Sequence, residues 1–167
     1  FRALDDPRVP FGLLTDPASG QPVGGQGGML AYYYQRKYAG FGQAVRLASG
    51  LEARYLRAEA ELKLGDATRA LELVEERRSA FPSATGDDVD FVAEGGTLRD
   101  LLDQKARDFY LEGKHMGDWL RNPTATPYVL PAGTAFYDPV YGGSVGAATC
   151  FATPAVEREN NPSFPQS

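Results

Sequence analysis

Two helical periods separated by only two residues constrain this chain more than any other feature of it. Val45, Ala48, Leu51, Tyr55, Ala58 and Leu62 recur three to four apart, and Ala67, Ala70, Leu71, Val74 and Phe81 follow after Gly65-Asp66. Apolar residues at this spacing form one stripe of an amphipathic helix. The pattern predicts helices over about 43–64 and 66–81. Gly65 ends the first, because glycine accepts the left-handed backbone of a helix C-terminus, and the Asp66 carboxylate caps the second. So short a connection packs the two antiparallel, as an αα-hairpin. Ahead of them, Tyr32-Tyr33-Tyr34-Gln35-Arg36-Lys37-Tyr38 reads as a short strand or extended lead-in.

A third period runs through Leu98, Leu102, Ala106, Phe109, Gly113, Met116 and Leu120. It predicts one long helix over about 98–121, capped by Thr97 and stopped by Pro123 and Pro127. From 122 to 167 no helical period survives, and aromatics are scattered among Gly and Pro. That segment reads as an irregular tail laid across the helices. Tyr128, Tyr137 and Tyr141 serve first to anchor this tail onto the helices, and because exposed aromatics on such chain also serve binding, they are the candidate ligand contacts. Tyr32 to Tyr34 alternate faces if extended, leaving at least one exposed. The expected protein is mainly α: an αα-hairpin, a third long helix and the tail, in one domain spanning 1–167.

Charge and motif content narrow the function. Seventeen Lys and Arg against 22 Asp and Glu leave a net charge of −5, without the basic footprint of a nucleic-acid binder. No apolar run approaches the ~20 residues of a membrane-spanning helix. Cys150 stands alone, which excludes an intrachain disulfide, and it reads as a small packed residue. His115 is the single histidine, with no partners singled out for a metal centre or a Ser-His-Asp system. Arg107, Asp108, Glu112, Asp118 and Arg121 lie along one helix at ion-pair spacing, which suits intrahelical pairs and creates no facing carboxyls; Glu112 or Asp118 can also bridge to a neighbouring helix or cap tail backbone. Trp119, beside Leu120, reads as core or helix–tail packing. Asp87, Asp88 and Asp90 lack the ligand spacing of a calcium loop, and Gly24-Gly25-Gln26-Gly27-Gly28 lacks the Lys-Ser/Thr of a phosphate loop. No catalytic residue, metal ligand or cofactor is nominated by these residues, so they give no ground to expect an enzyme.

The hairpin resembles a tetratricopeptide repeat: Gly65 at the turn, Ala70, Val74 and a closing Pro82 stand at matching spacing, while Glu61 and Arg77 depart from it. One such repeat cannot bury both faces and calls for a partner surface. Three further segments, in order, resemble the SusD/RagB family. The first is Arg36-Lys37-Tyr38, then Val45-Arg46-Leu47-Ala48 and Ala58-Glu59-Ala60. The second is the third helix, with Glu112-Gly113, Asp118 and Arg121 in register. There Gln104-Lys105 replaces Glu-Arg, Asp108-Phe109 replaces Glu-Leu, His115 an Arg and Trp119 a Leu. The third is the end of the chain, Pro154, Glu157, Asn161-Pro162 and Gln166, with Ser167 read as close to the natural C-terminus.

This resemblance implies a surface-exposed outer-membrane lipoprotein on a tetratricopeptide-like scaffold. Such proteins form a lid on a TonB-dependent barrel, the SusC-like partner, and capture glycans or other nutrients for import. Family members are longer, so Phe1 is read as the start of a fragment or processed chain. The missing N-terminal part, with the lipid anchor, would then be a further partner. The rival reading is a tetratricopeptide scaffold that binds proteins in its groove.

Overall fold

The computed structural model describes residues 5–25, 30–82, 97–135 and 143–146. Two units separate, Phe1–Val129 and Leu130–Ser167. The described part of the first is mainly helical, with four helices and four very short strands.

Strand β1 (Phe11–Leu13) pairs antiparallel with β4 (Tyr33–Gln35), in the register Phe11 to Gln35, Gly12 to Tyr34 and Leu13 to Tyr33. The tyrosine tract is thus extended, and it lies on a partner strand that the sequence did not announce. Backbone bonds prolong the ladder at both ends, Leu14 N–H to Tyr32 C=O and Arg36 N–H to Pro10 C=O, each 2.9 Å. Between them β2 (Gly24–Gly25) pairs with β3 (Leu30–Ala31). At the intervening turn Asp16 accepts from the Ala18 N–H and the Ser19 hydroxyl, a side chain standing in for a backbone turn bond.

Helix α1 is Gly50–Lys63, shorter than the predicted 43–64. Ser49, in extended conformation, accepts from the Glu52 N–H at 3.1 Å and sets the start. Residues 43–48 are not helical, and Val45 and Leu47 face solvent instead of a core. Gly65 turns the chain at φ +97°, and Asp66 accepts from the Thr68 N–H at 2.9 Å. Helix α2 then runs Thr68–Ala80, within the predicted 66–81. Tyr55 and Ala58 of α1 meet Ala70, Leu73 and Val74 of α2 in one buried cluster, with Leu51 and Leu62 packed against it. Leu73, and not the expected Leu71, takes the inward position.

The expected long third helix is two helices. Helix α3 spans Thr97–Asp108 and α4 spans His115–Arg121. Leu101 and Phe109 join the cluster, and the Phe109 ring meets the Tyr55 ring edge-on at 5.9 Å. Between the helices Leu111 and Gly113 both take left-handed backbone, at φ +59° and +76°. Two contacts account for the break. The Lys37 ammonium donates to the Tyr110 carbonyl at 2.6 Å, and the Glu112 carboxylate is drawn to Lys37 and Arg46. A charged donor on the carbonyl outweighs one more turn of helix. The apolar spacing carries on across 109–114, so periodicity alone does not register the turn. Leu120, counted in the apolar stripe, is exposed as a result.

Glycine is required at 113 for its backbone. A side chain there meets open space, so Gly113→Ala is expected to lose about 1–2 kcal/mol from left-handed strain alone. Chemical denaturation with an unchanged m-value checks this; a neutral substitution would mean that the turn relaxes.

In the second unit the described residues are 130–135 and 143–146, where Ala135 bridges Ser144 and Val145 donates to Thr134 at 2.9 Å. Tyr137, Tyr141, Cys150, the acidic run at 87–90 and the terminal Pro154, Glu157, Asn161, Pro162 and Gln166 lie outside the described residues.

Candidate functional site

Helix α3 was expected to be apolar along one stripe and solvated along the other. Instead Asp100, Asp103, Gln104, Lys105 and Arg107 are all buried along with Leu101 and Leu102. Burying a charge is costly unless it is paired and hydrogen-bonded, and here the pairing reaches across the unit. Arg107, fully enclosed, meets Asp6 at 3.2 Å and Asp103 at 2.6 Å. Asp6 also holds Arg8, whose side chain donates to Gln104. Asp108 accepts from Arg77 through two nitrogens at 2.9 and 2.7 Å, from Arg8 at 3.3 Å and from the Tyr55 hydroxyl at 2.5 Å. The guanidinium groups of Arg8 and Arg77 both lie over the Phe81 ring, at 5.1 and 4.8 Å.

A second group of pairs joins residues that stand far apart in the sequence. Glu112 binds Lys37 at 2.8 Å and Arg46 at 3.0 Å. Burial pushes its carboxyl up, but these two cations hold it below the usual range. Lys105 and Asp118, both enclosed, meet at 2.6 Å, and Asp118 also takes Arg121. Glu59 of the Ala58-Glu59-Ala60 tripeptide accepts from Asn122 at 2.8 Å and from Lys63 at 3.1 Å, and it meets Arg121 at 3.5 Å. Of the charges predicted to pair within one helix, Arg121 and Asp118 pair with each other, and Arg107 pairs within its helix with Asp103, which the prediction did not name. Asp108 and Glu112 pair instead with other segments. For Asp108 and Glu112 spacing along the helix did not reveal the partners, because those lie 31 to 100 residues away, whereas Asp118 bridges to Lys105 of the neighbouring helix, as its spacing allowed.

Tyr128, the one candidate ligand residue among those described, has left-handed backbone at φ +62° and a half-exposed side chain. Its hydroxyl donates to Asp103. Burial and the neighbouring carboxylate both push its phenol upward, so it stays protonated. The residue therefore anchors the chain after α4 to α3 while leaving ring surface open. Gly113, read as part of the family motif, supplies the turn already described. His115 is half-buried, and burial holds its imidazole below the ordinary range against the pull of Asp118. Trp119 is partly buried.

A second open aromatic surface lies elsewhere. Tyr32, Tyr33 and Tyr34 are 49, 40 and 42% exposed, and with Arg36 and Tyr38 they line a broad surface concavity. On one face Gly12 lies opposite Tyr34, whose ring covers the glycine so closely that a Cβ there would sit 2.7 Å from it. On the other, Phe11 meets Tyr33 edge-on at 6.0 Å. The sequence signal was the tract itself; what it lacked was the strand pairing that holds the rings in place.

Comparison with protein-family models, curated proteins and solved structures found no match.

Function must therefore be read from this chain's own geometry. Among the described residues no group of three or more His, Cys, Asp or Glu is placed to hold a metal ion, and no helix is long and apolar enough to cross a membrane. The carboxylates of the network each face a cation or a donor, so their chemistry is cross-linking by charge.

That network fixes an acid response. Asp6, Glu59 and Glu112 are held below their ordinary values of 3.8, 4.5 and 4.5. For each, burial acts upward and is outweighed by hydrogen bonds, from Arg8, from Asn122 and Lys63, and from Arg46 and Lys37 respectively. A carboxylate with a depressed folded value stabilises the fold above its unfolded value and loses that contribution as pH falls through the folded one. His115, lowered from 6.5 by burial, acts in the same direction, because the unfolded chain takes up its proton first. Urea midpoints are expected to decline below about pH 6 and steeply below about pH 4. A midpoint that held steady down to pH 3 would contradict this assignment of charge.

Proposed function

We propose that this chain is the C-terminal portion of a SusD/RagB-like binding lipoprotein that captures a glycan or other nutrient at the outer membrane. It hands its ligand to a TonB-dependent barrel by differential binding, without bond chemistry. The observation that carries the reading is the pairing of the motif residues with one another. Lys37 and Arg46 of the first segment close on Glu112 of the second, and Glu59 closes on Asn122 and Arg121. Segments that resemble one family in sequence thus form a single cross-linked unit, and substitutions such as Lys105 for Arg keep the charge that their pair with Asp118 needs. The helical hairpin α1–α2, with Gly65 at its turn and Ala70 and Val74 buried at the contact, supports the tetratricopeptide-like scaffold. On this reading Tyr128, Tyr137 and Tyr141 belong to the ligand surface or to its support.

One observation favours the rival scaffold reading: Leu56, Leu64 and Leu71 of the hairpin are exposed, as a face awaiting another repeat or a partner would be. Affinity purification of the tagged protein from native outer membranes in mild detergent, followed by mass spectrometry, separates the two. A stoichiometric TonB-dependent barrel supports nutrient capture. A soluble protein accompanied by other partners, with no barrel, turns the reading to the scaffold.

A further inference from the structure

Arg36 differs in its surroundings from the other described cations. Arg8, Lys37, Arg46, Arg54, Arg57, Lys63, Arg69, Arg77, Arg78, Lys105, Arg107, Lys114 and Arg121 each meet a carboxylate. The Arg36 guanidinium has no ion-pair or hydrogen-bond partner among the described residues, although the chain carries an excess of acid. It stands in the concavity lined by Tyr32, Tyr33, Tyr34 and Tyr38.

The ladder from Leu14–Tyr32 to Pro10–Arg36 puts these residues in order. Alternation along extended chain sends Tyr32, Tyr34 and Arg36 to one face, successive members about 6–7 Å apart. Gly12 allows the Tyr34 ring to lie flat against the sheet, since a side chain there would lift it. A row of two aromatic faces ending in a planar cation that is unpaired among the described residues is complementary to a ligand with flat apolar faces and a terminal anion. Nucleic acid fits poorly, because the chain's net charge is −5. A sugar chain bearing carboxylates fits well: tyrosine faces accept the C–H faces of pyranose rings, and arginine binds a carboxylate through two parallel N–H bonds.

We infer that the Tyr32–Tyr34–Arg36 surface binds an acidic, uronate-bearing oligosaccharide, with Arg36 selecting for the carboxylate and the tyrosines stacking on the rings. The choice of a saccharide rests on the nutrient-capture reading; the preference for an acidic one rests on Arg36. Isothermal titration of the whole chain with a short oligogalacturonate, and with a malto-oligosaccharide of equal length, tests it. The acidic sugar is expected to bind and the neutral one to bind at least about tenfold more weakly. Arg36→Gln is expected to abolish the preference while leaving the circular dichroism spectrum unchanged, since among the described residues its side chain forms no hydrogen bond or ion pair. Tyr34→Leu and Gly12→Ala are expected to weaken both sugars, the second by displacing the ring. Equal affinity for the two sugars, binding of neither, or an Arg36→Gln variant that keeps the preference would each overturn the inference. Failure here with a barrel still co-purifying leaves nutrient capture standing. Acidic-sugar binding without any barrel leaves this inference standing and removes uptake.

Discussion

Asp108→Ala is expected to lower stability by about 3–5 kcal/mol, the scale seen when one member of a buried charge pair is removed. Asp108 is the acceptor for two nitrogens of Arg77, for Arg8 and for the Tyr55 hydroxyl, which sits in the hydrophobic cluster between α1, α2 and α3. Alanine leaves two guanidinium groups close together with no anion between them, and a phenol with no acceptor. Much of the cost is therefore the repulsion between two cations left without their anion, and only a small part is lost packing. In a domain of this size the change corresponds to a fall of roughly 10 °C in Tm. Asp108→Asn is expected to recover little, because the amide retains one acceptor oxygen but brings donors toward the cations. Differential scanning calorimetry on the two variants checks this, and near-wild-type melting of the alanine variant would mean that water or another carboxylate replaces Asp108.

Arg107→Met is expected to cost a similar 3–5 kcal/mol. The arginine and its two partners, Asp6 and Asp103, are all wholly enclosed. Methionine matches its length but leaves Asp6 to Arg8 alone and Asp103 to the Tyr128 hydroxyl and the Gln104 amide. Adding Asp103→Leu is expected to restore part of the loss, because an enclosed ion pair replaced by apolar side chains is often close to neutral. A double-mutant cycle reads this directly: the double variant should be more stable than the sum of the single losses allows. Simple additivity would show that the two charges do not depend on each other. The Asp6–Arg107 contact ties the chain before β1 to α3, so Arg107→Met should also raise proteolytic susceptibility near residues 5–9.

Local physics was legible in the sequence. The stripe through Tyr55, Ala58, Ala70 and Val74, the turn at Gly65, the Asp66 cap and the extended tyrosine tract each depend on spacing or on one residue's conformational preference. Those features are decided within a few residues of chain, so reading along the chain finds them. Leu73 escaped because Leu71 and Leu73 differ by two positions and both satisfy a loose three-to-four count. The charged residues Lys37, Arg46, Glu59, Glu112 and Asp118 were legible as residue types. What they bond to was not, because a carboxylate's partner is chosen by proximity in space and the sequence records only proximity along the chain.

Tertiary structure decided the rest. It ended α3 at Asp108, where Lys37 claims the Tyr110 carbonyl and Glu112 turns toward Lys37 and Arg46. It drew residues 43–48 out of the predicted helix, with Arg46 on Glu112 and the Leu47 carbonyl on Lys114. It buried the charges of α3, which a hydrophobicity pattern assigns to solvent, by supplying Asp100, Lys105 and Arg107 with counter-charges from other segments and Asp103 with Arg107 of its own helix. The sequence by itself determined which stretches are helical and where they can turn, since those are short-range preferences of backbone and apolar surface. Only the assembled fold determined where the helices stop and which charges are enclosed, because a buried ion is tolerable solely where its partner arrives with it.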